Sequence, residues 1–367
     1  DLTAFFGWTA WAAAAERPGT SESYTMNFPH EPLVGNAPPA GSVPWSMFSV
    51  VLLLAGIAIL VVHHVRSPSI EAETQPARDP FALRASTPSQ RATYKYFVVA
   101  ACLMLLQVAM GAITAHYGVE GDGFYGFDLA QILPYAVTRT WHTQLGIFWI
   151  ATAWLGTGLW LAPLVGHEPA HQRLGVNVLF GALVAVVLGA LGGTWASVQR
   201  RLGGDLWYWV GHQGWEYVDL GRVFQIGLFI GLLLWLALML RALWPALQRR
   251  DERRPLLILF VISTLAIALF YAEGFMYGRT SHLATVEHWR WWVVHLWVEG
   301  FFEVFATIAI AWLFVELGLL HAKRATDAVL FATTVFLGGG ILGTLHHNYF
   351  SGAPASVMAL GATFSAL

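Results

Sequence analysis

The stretch His295-Leu-Trp-Val-Glu299-Gly-Phe-Phe-Glu303 decides how this sequence is read. It lies in an apolar run covering 289–319, which is 31 residues long. Such a run exceeds the ~20 residues of helix that cross a bilayer core, and it is long enough to tilt or to project from the membrane. It carries one imidazole and two carboxylates, and ionisable groups at that depth are costly unless they are paired or bind a metal. Residues i and i+4 share a helix face, so His295 and Glu299 can serve one ion; Glu303 follows about 80° around the helix from His295. A proton pathway without metal is the alternative reading of this stretch taken alone.

Seven further apolar runs surround it, at roughly 44–65, 96–115, 140–163, 174–197, 222–243, 255–277 and 326–350. The final 14 residues, Pro354 to Leu367 (PASVMALGATFSAL), would begin a ninth. The runs are too long for core strands and alternate only weakly, so they read as helices. The expected fold is an all-α polytopic membrane protein with eight complete transmembrane helices and the start of another. Composition agrees. Only 11% of the 367 residues are charged and 56% are hydrophobic, where a soluble domain carries about 25% charged residues. Mean hydropathy is +0.56. The net charge of −2 offers nothing to nucleic acid, and a single cysteine, Cys102, excludes an internal disulfide as well as thiolate zinc and iron–sulfur sites. Asp1 is not an initiator methionine and no signal-like run opens the chain. The expectation is a piece of a longer protein. No internal repeat stands out, which weakens an inverted-repeat transporter reading.

Loop charge sets the orientation. With 1–43 placed outside, the inner loops hold Arg66, Arg78, Arg84, Arg91, Lys95, Arg173, Arg241, Arg249, Arg250, Arg253, Arg254, Lys323 and Arg324, which is 13 of the 20 basic residues. The outer segments hold Arg17, Arg139, Arg200, Arg201, Arg222, Arg279 and Arg290. That bias follows the positive-inside rule. The outer loops 117–138 and 199–221 are rich in Gly, Trp, Tyr and acidic residues, and loops of that length with so much aromatic content are expected to be ordered.

The same orientation brings His142, His295, His346 and His347, carried by three helices of alternating direction, to within about 10 Å of the outer surface. Four histidines at one depth point to a metal or haem role. His295, Glu299, His346 and His347 form an N3O donor set. Spacing alone leaves non-haem iron and zinc both open, and the hard carboxylate moves preference away from Cu(I).

Three motifs then carry a resemblance: HLWVEGFFE (His295 to Glu303); HHNYFSG (His346 to Gly352), whose first histidine lies 51 residues after His295; and RTWHTQLG (Arg139 to Gly146). Here the sequence resembles the haem–copper oxidase superfamily, specifically its nitric oxide reductase branch, over nearly the whole chain. The N-terminal LTAFFGWTAW and EPLVGN stretches are similar to the quinol-dependent form, which implies that 1–43 is the periplasmic end of a cytochrome c-like hydrophilic domain and 44–367 the transmembrane catalytic domain, incomplete at its C-terminal end.

The resemblance implies reduction of nitric oxide to nitrous oxide and water, with electrons from quinol, in a bacterial inner membrane. It implies that His295, Glu299, His346 and His347 bind non-haem iron. Glu303 matches a second glutamate that supports the site and proton delivery, which would make Glu299 and Glu303 the catalytic pair. His142 matches an axial ligand of the low-spin haem b, and a high-spin haem b would complete the binuclear centre. Glu216 matches a calcium-binding carboxylate near the haem propionates. His116, Glu120 and Phe124 match positions around the quinol; their spacing fits one helix face, although the stretch is Gly-rich and a loop is the alternative. The sequence also departs from the family. No histidine follows His347, so the helix bearing the other haem ligands is expected on another chain or a further segment. No CxxCH motif is present, so electrons are expected from quinol rather than from a covalent haem c. Lipid, quinol, nitric oxide and those remaining helices are the implied partners, and a homodimer is a candidate assembly. An oxygen-reducing oxidase of the same superfamily and a non-catalytic haem-binding membrane protein are the competing readings.

Overall fold

The computed structural model describes residues 11–12, 15, 17–19, 42–66, 81, 84–213, 220–351 and 353–366. Most of the expected N-terminal domain, and Glu216, lie outside them. The described elements run α1 (Ser42–Arg66), α2 (Pro88–Glu120), α3 (Tyr135–Val165), α4 (Gln172–Val198), the short α5 (Leu206–Trp209), α6 (Arg222–Leu247), α7 (Arg254–Phe270), α8 (Leu283–Trp291), a π-helical segment (Trp292–Phe302), α9 (Glu303–Glu316), α10 (Ala322–Gly343), a 3₁₀ segment (Thr344–Ser351) and α11 (Ala355–Ala366). No strand occurs among the described residues. Seven spans are long and apolar enough to cross a membrane, from Pro88–Glu120 to Ala322–Asn348. The first expected span coincides with α1, whose 25 residues match the bilayer core in length. The start of the ninth coincides with the 12-residue α11.

Two units divide the described chain. One contains α1, and the other holds residues 69–117 and 122–365. In the larger unit α3 packs on α4 and α6, α6 on α7, and α9 on both α7 and α10. With no water to displace between lipid-soluble helices, close approach depends on small residues and interlocking rings. Gly158 shows this. A Cβ there would stand 3.0 Å from Trp235, 3.1 Å from Phe305 and 3.2 Å from Met239. Phe305 is fully buried, with Phe260 stacked at 5.0 Å and Trp235 edge-on at 5.6 Å.

The outer loops are ordered where they are described. Trp195 Nε1 donates to Ile132 O at 2.7 Å, and Gln199 Nε2 to Gln131 O at 2.8 Å, which pins the 117–138 loop to the end of α4. Arg222, buried at the head of α6, donates to Tyr208 Oη (3.0 Å), Gly274 O (2.9 Å) and Tyr277 O (2.5 Å). A buried cation is thus satisfied entirely by neutral acceptors, and it ties two outer segments to α6.

Two local expectations are corrected. The 289–319 run is not one regular α-helix. The eleven residues Trp292–Phe302 wind as a π-helix between α8 and α9, and π-helical turns are rare and concentrate at functional sites. The histidine pair does not close an α-helix either. It lies in the 3₁₀ segment that follows α10, which interrupts helical geometry at Asn348.

Candidate metal centre

The π-helical segment presents His295, which is buried, and the 3₁₀ segment presents His346 and His347 beside it. One ring nitrogen from each of the three histidines lies within 4.8 Å of the others. His295 Nδ1 stands 3.1 Å from His347 Nε2 and 2.7 Å from Glu299 Oε2. A single Nδ1 faces both a carboxylate oxygen and another imidazole nitrogen, so lone pairs converge here faster than protons can satisfy them. This is donor chemistry that a divalent transition-metal ion fits. The i,i+4 relation of His295 and Glu299 therefore survives the change from α to π winding. The vicinal pair converges because it leaves the α-helix: ring centroids of His346 and His347 are 4.0 Å apart, and both rings lie near His295, at 5.3 and 4.9 Å.

Residues that sequence reasoning missed hold this arrangement. Trp291 stacks on His347, with ring centroids 4.0 Å apart and planes 8° from parallel. Gly361 of α11 presses on the backbone of the pair, where a Cβ would stand 2.3 Å from His346 N and 2.7 Å from Leu345 C. Neither carries a chemical signature in the sequence, since each acts through a neighbour distant along the chain. Glu303 opens α9 and is exposed in this chain, as is the Glu299 carboxylate at 57%.

His142 is held apart from the three-histidine cluster. It projects from α3 against α2, with Nδ1 2.9 Å from Gln107 O. A carbonyl only accepts, so Nδ1 carries the proton and Nε2 keeps its lone pair, the tautomer an axial ligand requires. Gly111 leaves room for the ring, since a Cβ there would stand 2.7 Å from His142 Cε1. Gln107 is fixed in turn by Trp149 Nε1, which donates to its Oε1 at 2.7 Å.

His116, Glu120 and Phe124 do not form one helix face. His116 and Glu120 lie in α2, which ends at Glu120, and Gly121 follows at φ +81°, a left-handed turn that suits glycine. Phe124 comes after that reversal and stacks back on His116 at 3.7 Å with planes 12° apart, while Tyr125 stands edge-on to both. Glu120 is exposed.

Residues 91–367 match the family model described as cytochrome c and quinol oxidase polypeptide I. The chain belongs to that family. Residues 1–30 match the cytochrome c-like domain of the nitric oxide reductase protein NorB. The chain is also 27% identical, over 283 residues, to the nitric oxide reductase protein NorB of Stutzerimonas stutzeri, covering 76% of this chain and 56% of that protein. It thus spans about half the length of the curated relative it matches. Within the oxidase polypeptide I family, the likeness falls on the nitric oxide reductase branch.

Proposed function

We propose that this chain is the non-haem-iron-bearing part of a nitric oxide reductase, and that His295, His346, His347 and Glu299 hold the iron. The observation that carries the reading is the convergence of three imidazoles with a carboxylate oxygen 2.7 Å from one of them. Bound there, iron would work with a high-spin haem b to supply the redox chemistry by which two NO, two electrons and two protons give N2O and water.

The chain's own residues then divide the remaining tasks. Trp291 and Gly361 fix the plane and position of the histidine pair. Glu299 supplies the negative charge that favours a hard metal ion over Cu(I). Glu303 lies one π-helical turn beyond it and passes protons to the centre through its carboxyl group. His142 Nε2 is the axial ligand of the low-spin haem b. The stacked His116 and Phe124 rings accept a quinol headgroup, and Glu120 takes up its protons. Glu216 holds calcium. NO is small and apolar. An apolar cavity behind the π-helical segment, with Phe148, Leu183, Leu232 and Val294 in its walls, suits its passage. The N-terminal 1–43 belongs to a periplasmic cytochrome c-like domain, and the 13 inner basic residues orient the catalytic domain 44–367 in the bacterial inner membrane.

Glu299→Ala in the full-length protein tests the assignment. Iron per polypeptide should fall and NO turnover should disappear. Unchanged iron with normal turnover removes Glu299 from the ligand set, and copper at the site with oxygen turnover alone points to an oxygen reductase.

A further inference from the structure

At the end of the helices opposite the histidines, Arg84, Arg249 and Arg253 line a cavity of about 350 Å3 with Asp251, Glu316 and Trp312. Glu316 ends α9, and its carboxylate is only 7% exposed. Arg84 stands 3.6 Å from it and Arg253 forms a close ion pair with it. The Glu316 charge is thus already matched. Arg249 makes no side-chain hydrogen bond or ion pair among the described residues, and it is exposed. One turn back along α9, Trp312 is 3% exposed, and its indole N–H finds no acceptor among them. Three guanidinium groups therefore face two carboxylates, and the spare hydrogen-bonding capacity around the cavity belongs to donors.

Donors in excess, with net positive charge, select an anion, and guanidinium groups match the oxygens of phosphate. The walls decide its source. Leu164 and Val165, at the end of α3, line the same cavity, so an occupant meets apolar surface beside the arginines. By loop charge this is the inner face, where bilayers present anionic lipid. We propose that this cavity binds the phosphate group of an anionic phospholipid of the inner leaflet, seated between the ends of α3, α6 and α9. Arg249 is its primary partner, and the Arg84–Glu316–Arg253 cluster is the rigid floor of the site.

The test uses full-length protein stripped of lipid in detergent. Native mass spectrometry follows titration with dioleoylphosphatidylglycerol and, separately, with dioleoylphosphatidylcholine, while calorimetry follows inorganic phosphate. Phosphatidylglycerol should be retained in preference to phosphatidylcholine. Arg249→Gln should weaken that retention about five-fold, the contribution expected of one basic residue near an anionic surface. Arg250→Gln, a neighbour outside the cavity, should leave retention unchanged. Equal retention of the two lipids, or no effect of Arg249→Gln, overturns the proposal. Arg249-dependent binding of inorganic phosphate without phosphatidylglycerol retention overturns the lipid as the source and identifies a soluble anion instead.

Discussion

Gly361 offers the sharpest handle on the metal centre without touching a ligand. In Gly361→Ala the new Cβ would stand 2.3 Å from His346 N and 2.7 Å from Leu345 C. Ordinary contact begins at 3.4 Å, and both neighbours are backbone atoms, so no rotamer change relieves the clash. Either α11 or the 3₁₀ segment must retreat by about 1 Å. Overpacking of this kind costs about 1–3 kcal/mol, which a helix bundle of this size tolerates. The cost to the site is larger. Displacing groups that orient metal ligands lowers affinity or activity roughly 10–100-fold, and misplacement by about 1 Å can cost ~10²-fold in rate. The assay is iron per polypeptide by mass spectrometry together with NO turnover in full-length protein, with the low-spin haem spectrum as an internal control. Iron occupancy and turnover should both fall, while the low-spin haem band persists because His142 is held by α2 and not by α11. Full iron and full turnover in Gly361→Ala would refute the claim that α11 positions the histidine pair.

Three further outcomes follow from the same geometry. Gly111→Val should remove the low-spin haem band while non-haem iron is retained, because even the Cβ stands 2.7 Å from His142 Cε1; optical spectra and metal analysis separate the two. His116→Ala should raise the KM for quinol several-fold with little change in turnover from an artificial reductant, since it removes one face of the stack with Phe124. Phe305→Ala should lower the Tm markedly, since emptying a fully buried aromatic site costs about 3–5 kcal/mol, and the loss should spread across α3, α6 and α7, whose rings meet there.

The sequence made the spans legible because apolar length is a strong signal, and their observed ends differ from the expected ones chiefly where helices project past the apolar run, as α8 does. His295, His346 and His347 were legible for a different reason: imidazoles in apolar segments are costly, so their presence already implied a partner. What stayed hidden is local winding and remote packing. Nothing in the period of WVVHLWVEGFF distinguishes π from α winding, because i and i+4 remain neighbours in both. The 3₁₀ turn that brings two vicinal histidines to one point was equally silent. Gly361, Trp291, Gln107 and Gly111 matter only through neighbours far away in the chain, and spacing along one helix cannot reveal them. At His116 and Phe124 the helical spacing misled. Gly121 ends α2 between them, and the stack forms across a turn.

The central claim is that three imidazoles and Glu299 hold an iron outside any haem. The most direct measurement is the ratio of iron to haem in the full-length protein, compared with the same ratio in His347→Ala. The account predicts one iron beyond those in the haems, and its loss in the variant with haem content unchanged. Iron equal to haem in both proteins, or an extra iron that His347→Ala leaves in place, would contradict it.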